Sequence, residues 1–183
     1  MATLKHQFAN NSDQVPFVST NDVLTIWVLL RNGQPRFGFM VVNLRNRLSG
    51  LGAHLAGNYQ GVVPYLPANW QTPVLIRTSI STQLLRRSVT QIDALPSVWE
   101  THTGISCIVS NWLTLVVANE LPECTEDLHL PLYHFSAVAL PPNMTTVVIF
   151  RAGPCKTAIL VAGHLSHLIL QRADFESGKE LQA

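Results

Sequence analysis

Val18-Ser19-Thr20-Asn21-Asp22-Val23-Leu24-Thr25-Ile26-Trp27-Val28-Leu29-Leu30-Arg31-Asn32-Gly33 is followed, two residues later, by Arg36-Phe37-Gly38-Phe39-Met40-Val41-Val42-Asn43-Leu44. In the first stretch hydroxyl cap candidates and an early acid stand before an apolar run from Val23 to Leu30. That run ends on an arginine and a glycine, so the segment carries both the start and the stop signals of a helix. The second stretch lies after Pro35 and is rich in Phe and Val, which predicts a buried strand. A capped helix running into a buried strand points to a mixed α and β chain.

Working outward, residues 10–16 form a polar loop after a short helix-like start. Residues 49–73 hold Gly50, Gly52, Gly57 and Gly61 with Pro64, Pro67 and Pro73, and read as a long irregular connection. A helix is expected from Val74 to Leu95, with Thr72 as cap and Pro73 in its first turn. Its apolar positions Leu84, Leu85, Val89, Ile92 and Leu95 fall at three- and four-residue spacings, Arg86 and Arg87 face out, and Pro96 closes it. The second half predicts strands at Ile105–Ser110, Tyr133–Ala139, Thr145–Phe150 and Thr157–Ala162. The last two are joined through Arg151–Cys155 as a hairpin. Leu165, Leu168, Ile169 and Phe175 mark a final amphipathic helix. The class is α/β or α+β with the sheet concentrated late.

At 183 residues the chain is one domain. Lys plus Arg is 12 against 11 for Asp plus Glu, which argues against a polybasic nucleic-acid arm and against an acidic tail. Charged residues are 13%, against roughly 25% in an average soluble domain, and the mean hydropathy is +0.20. A spanning helix needs about 20 apolar residues, and the best run, Ile105 to Ala118, is broken by Ser106, Ser110, Asn111 and Thr114. No apolar leader follows Met1. Cys107, Cys124 and Cys155 are odd in number and irregular in spacing, so a reducing, cytoplasmic setting is expected. The remaining explanation for so little charge is a surface covered by more protein.

The standard chemical signatures are missing. There is no glycine-rich phosphate loop and no Gly-x-Ser-x-Gly elbow. Among the histidines, His164 and His167 lack nearby carboxylate or cysteine partners, and Pro131 separates His129 from His134, so no metal site is expected. Cys124 lies between Glu123 and Glu126, which disfavour its thiolate.

What remains is an ordered set of phrases. Val18 to Leu24 opens a helix containing Trp27; Val42-Asn43-Leu44-Arg45-Asn46-Arg47-Leu48 and Leu55-Ala56-Gly57-Asn58-Tyr59 follow. Then come Ser110-Asn111-Trp112 and, after an acidic loop, Asp127-Leu128-His129-Leu130-Pro131. This order resembles the C-terminal half of the BAHD and chloramphenicol-acetyltransferase-like acyltransferases. Their pattern runs Ser-Thr-x-Asp-x-Leu, Arg-x-Arg with a following Gly-Asn, Thr-Ser-Trp, and Asp-Phe-Gly-Trp-Gly-x-Pro. Two departures stand out. The last phrase survives as Asp127 and Pro131, with His129 where the family has glycine. The family's catalytic His-x-x-x-Asp lies in its other half, and none of the 7 histidines here is followed by Asp at the fourth place.

The resemblance implies a fold and a division of labour. The fold would be α/β, a mixed sheet with flanking helices over residues 1–176 and a polar tail at 177–183, one domain of the two-domain chloramphenicol-acetyltransferase-like fold. The activity would be acyl transfer from acyl-CoA, a co-substrate rather than a bound cofactor, to the hydroxyl or amine of a small-molecule acceptor. The general base would come from a missing N-terminal domain or a partner chain, with no nucleic acid and no membrane involved. Ser110 would occupy the hydroxyl position that donates to the oxyanion, with Trp112 supporting it; the plainer reading makes Ser110 a strand-end residue and Trp112 core. Arg45 and Arg47, alternating on a strand end, would share one face and meet CoA phosphates. An ion pair with Asp22 is the preferred role for Arg45, while Arg47 stays open. Gly57 and Asn58 read as backbone devices, and Asp22 as architecture. Three functional readings follow: part of an acyltransferase inactive alone, a subunit completing its site with a second chain, or a non-catalytic binding module on the same fold.

Overall fold

The computed structural model describes residues 15–33, 35–57, 59–81, 97, 100, 103–113, 141–153 and 156–163. Its first helix, α1 (Thr20–Arg31), starts where the local chemistry demands. Ser19 is the N-cap, its hydroxyl accepts from the Asp22 backbone N–H at 3.3 Å, and Asp22 reaches back to the Ser19 backbone N–H at 2.7 Å. This reciprocal box satisfies two donors that would otherwise be orphaned in the first turn. At the other end the Asn32 N–H bonds the Val28 carbonyl at 3.0 Å, and Gly33 turns the chain with φ 65°.

Among the described residues five strands form one sheet: β1 (Phe37–Asn43), β2 (Gln60–Tyr65), β3 (Ser106–Asn111), β4 (Met144–Gly153) and β5 (Lys156–Gly163). Their order is β2-β1-β3-β4-β5. The three central strands run parallel, and each outer strand pairs antiparallel with its neighbour. The chain is therefore α/β with a mixed sheet, as expected, and the last two strands form the predicted hairpin. A register shift between Arg151 and Gly153 marks the turn side of that hairpin.

Residues 49–73 are not the uninterrupted loop their glycines and prolines suggested. They contain all of β2 and a 3₁₀ turn at Pro67–Asn69. The Leu44 N–H donates to the Tyr59 carbonyl at 2.9 Å. Antiparallel alternation then turns the backbone groups of Gly61, Val63 and Tyr65 toward β1 and those of Gln60, Val62 and Pro64 outward. Pro64 thus stands at a position where the ladder needs no N–H, the place a strand tolerates proline.

A second helix, α2 (Pro73–Ser81), carries its proline in the first turn as expected. The rest of the helix predicted to Leu95, the strand at Tyr133–Ala139 and the final helix lie outside the described residues. Both helices cover one face of the sheet. Leu24, Ile26, Val28, Leu29, Ile76 and Ile80 meet Met40, Val42, Val63, Tyr65, Cys107, Val109, Val147 and Ile149 in one core. Gly38 keeps that core dense: a Cβ there would lie 2.9 Å from the Trp70 ring and 3.0 Å from Leu29. No helix among the described residues is long and apolar enough to cross a membrane.

Candidate functional site

The carboxyl ends of the parallel strands are where open α/β sheets place ligands, because the loops that leave them diverge there. β3 is the middle strand of five and ends at Ser110-Asn111. Its ladder continues one residue further, the Trp112 N–H donating to the Ile149 carbonyl at 2.7 Å. Asn111 then ends the strand, its Oδ1 accepting from the Leu113 N–H at 2.8 Å in a local side-chain turn.

Ser110 and Trp112 are brought together as the sequence implied. The indole Nε1–H donates to Ser110 Oγ at 3.0 Å. Accepting that bond uses one lone pair and leaves the hydroxyl's own proton to donate. Ser110 is 8% exposed, on the sheet face opposite the helices. Trp112 packs there with Val148, Phe150, Ala152, Ala158 and Leu160. The indole packs against this cluster and is at the same time a hydrogen-bond donor to Ser110.

Ser110 stands in register with Val41 of β1 and Val148 of β4. The row continues to Val62 of β2 and Leu160 of β5. A single hydroxyl is thus set in a strip of four aliphatic side chains across all five strands.

The two arginines are arranged differently from expectation. β1 ends at Asn43, and residues 45–47 form a turn with Asn46 at φ 59°, so Arg45 and Arg47 do not alternate on a strand. Arg45 donates to the carbonyls of Leu55 (3.1 Å) and Gly57, and lies 5.1 Å from the centroid of the Tyr59 ring. Arg47 turns the other way and donates to the Ile80 carbonyl of α2 at 2.5 Å. Each guanidinium clamps a loop to its neighbour. Gly57 has φ +125°, a backbone state open to glycine, and the role read for it holds. Asn58, Asp127, Pro131, Cys124, Cys155 and the histidine pairs lie outside the described residues.

Asp22 does not pair with Arg45. Its partner is Arg77 of α2, with Nε and Nη2 at 2.8 and 2.7 Å from Oδ2. The carboxylate is fully buried and the Arg77 side chain 15% exposed. The guanidinium lies 4.6 Å from the centroid of the Phe17 ring, which shields it from one side. Asp22 thus ties the start of α1 to α2, through a residue that sequence reasoning passed over. An arginine in the first two turns of a predicted helix was the available signal, and nothing local tied it to Asp22. Nearby, Tyr65 shares a 2.9 Å hydrogen bond with Ser79. Burial pushes the Tyr65 phenol up to about 12; the Ser79 bond opposes this and the Asp22 charge adds to it.

Cys107 is fully buried on β3, and burial raises its thiol to about 12, so it carries no reactive thiolate. Among the described residues no group of three or more His, Cys, Asp or Glu could hold a metal ion. The chain matches no family model, no curated protein and no solved structure.

Proposed function

We propose that the chain is one domain of a two-domain, chloramphenicol-acetyltransferase-like acyltransferase that moves an acyl group from acyl-CoA to a hydroxyl or amine. The observation that carries this reading is the Ser110–Trp112 hydrogen bond at the carboxyl end of the central parallel strand. There a largely buried hydroxyl accepts from the indole and keeps its own proton to donate. The general base, a neutral imidazole, would come from a second domain or partner chain, because this sequence has no His-x-x-x-Asp.

In that assembly the imidazole takes the acceptor's proton as its oxygen or nitrogen attacks the thioester carbonyl. The carbonyl oxygen becomes an oxyanion, and the Ser110 O–H donates to it. Collapse breaks the carbon–sulfur bond, and the CoA thiolate leaves with the proton returned by the imidazolium. One such donor is worth roughly 10²–10³-fold in rate. Trp112 holds Ser110 in the donating orientation. Because Arg45 and Arg47 already grip backbone carbonyls, phosphate recognition is assigned to other parts of the assembly.

The test starts from the native protein, captured with an antibody against residues 164–183 together with whatever accompanies it. Its intact mass and its release of free CoA thiol from acyl-CoA with hydroxyl acceptors are measured. The reading expects a species carrying His-x-x-x-Asp, and thiol release that Ser110→Ala lowers by about 10²–10³-fold. An assembly without that motif and without thiol release overturns it.

A further inference from the structure

The geometry points to an uncharged aliphatic acyl chain as the group bound against Ser110, its carbonyl oxygen on the hydroxyl and its chain lying over Val41 and Val62. This rests on the acyltransferase reading and specifies its donor. The strand register carries the argument. Ser110 is the one polar residue in the row Val62–Val41–Ser110–Val148–Leu160. The row before it is Pro64–Phe39–Ile108–Thr146–Ala162, and the row after it holds Gln60, Asn43, Phe150 and Ala158 around Trp112. Among the described residues no charged residue stands in these three rows. A phosphate, carboxylate or ammonium laid there would lose its water, and these rows offer it no counter-charge.

Exposure gives the chain its direction. Val148 is 1% and Ser110 8% exposed, while Val62 is 58% exposed and Val41 half-buried between them. The strip therefore closes toward β4 and opens toward β2. Val62 heads the exposed end of a strip whose middle, Ser110 and Val148, is buried. From Ser110 to Val62 is two strand spacings, about 10 Å, the reach of roughly eight methylenes at extended-chain spacing. Each methylene that leaves water for this surface adds about fourfold to binding. The hydroxyl supplies the single directional contact, and the valines measure length.

The probes are 2-undecanone and 2-butanone, neutral ketones that differ in chain length and cannot turn over, titrated against the native assembly by calorimetry. The expected result is that 2-undecanone binds at least a hundredfold tighter. Ser110→Ala should weaken it about three- to tenfold, one neutral hydrogen bond. Val62→Asp, at an exposed position that folding tolerates, should weaken 2-undecanone about tenfold or more and leave 2-butanone unchanged. Equal binding of the two ketones, no binding of either, or indifference to Val62→Asp overturns the inference. Turnover separates it from the parent reading. Thiol release from acetyl-CoA as fast as from decanoyl-CoA refutes the chain-length claim while the acyltransferase assignment stands. Absence of release from any thioester, with the ketones behaving as stated, refutes the assignment and leaves the site.

Discussion

The ion pair between Asp22 and Arg77 offers the sharpest test of the packing argument, because the sequence suggested a different partner. Asp22 is fully buried, and its Oδ2 takes two donors from Arg77 and two from Ser19, at 2.7 Å from the backbone N–H and 2.9 Å from the hydroxyl. Removing one member of a buried pair costs about 3–5 kcal/mol, since the remaining charge stays dehydrated. Arg77→Met keeps the stem that packs beside Phe17 and removes the charge. Ser19 goes on donating to the carboxylate, and the guanidinium side is 15% exposed, so the lower end applies, about 3 kcal/mol. With a urea m-value of about 2 kcal/mol/M, the midpoint should fall by about 1.5 M. The decisive assay is a pair of double-mutant cycles read by urea unfolding of the full chain. Asp22→Asn with Arg77→Met should show a coupling of about 2 kcal/mol, whereas Asp22→Asn with Arg45→Met should be additive within about 0.5 kcal/mol. Coupling to Arg45 instead, or additivity in both cycles, would refute the argument.

Other consequences are as direct. Gly38→Ala places a methyl 2.9 Å from the Trp70 ring, and overpacking of this kind should cost about 1–3 kcal/mol, visible as a lowered Tm. The Tyr65 phenol, raised from 10.0 to about 12, favours the protonated fold. Its contribution of about 2–3 kcal/mol is complete below pH 10 and disappears as pH climbs toward 12, so alkaline unfolding and one late tyrosinate absorbance step should coincide. If all tyrosines ionise together while the chain stays folded, the burial argument fails. Cys107, fully buried with its thiol raised to about 12, should resist a thiol reagent in the native chain and react on unfolding. Rapid labelling of that residue in the folded state would contradict it.

Helix α1 was legible almost residue by residue. Its box closes within three positions, Ser19 to Asp22, and its stop within two, Asn32 and Gly33, so short-range sterics and hydrogen bonds decide it. The hairpin of β4 and β5 was legible for the same reason, two apolar runs across a short glycine–proline turn. β2 was hidden because its glycine and proline argue against a strand locally. An outer position in the sheet removes the objection, since an outward-facing residue there needs no N–H partner within the sheet.

For the candidate site, the residue types were visible and their arrangement was not. Trp112 lies two positions from Ser110, so their hydrogen bond was within reach of local reasoning. The partner of Asp22 lies 55 residues away, and the valines around Ser110 come from three other strands. The sequence by itself determined capped helices, buried strands and an apolar balance, because those follow from periodicity and near-neighbour chemistry. Which arginine meets Asp22, where Pro64 is harmless, and which side chains surround the Ser110 hydroxyl were decided by strand order and register. Those depend on the free energy of packing the whole sheet against both helices, a sum that no short window of sequence contains.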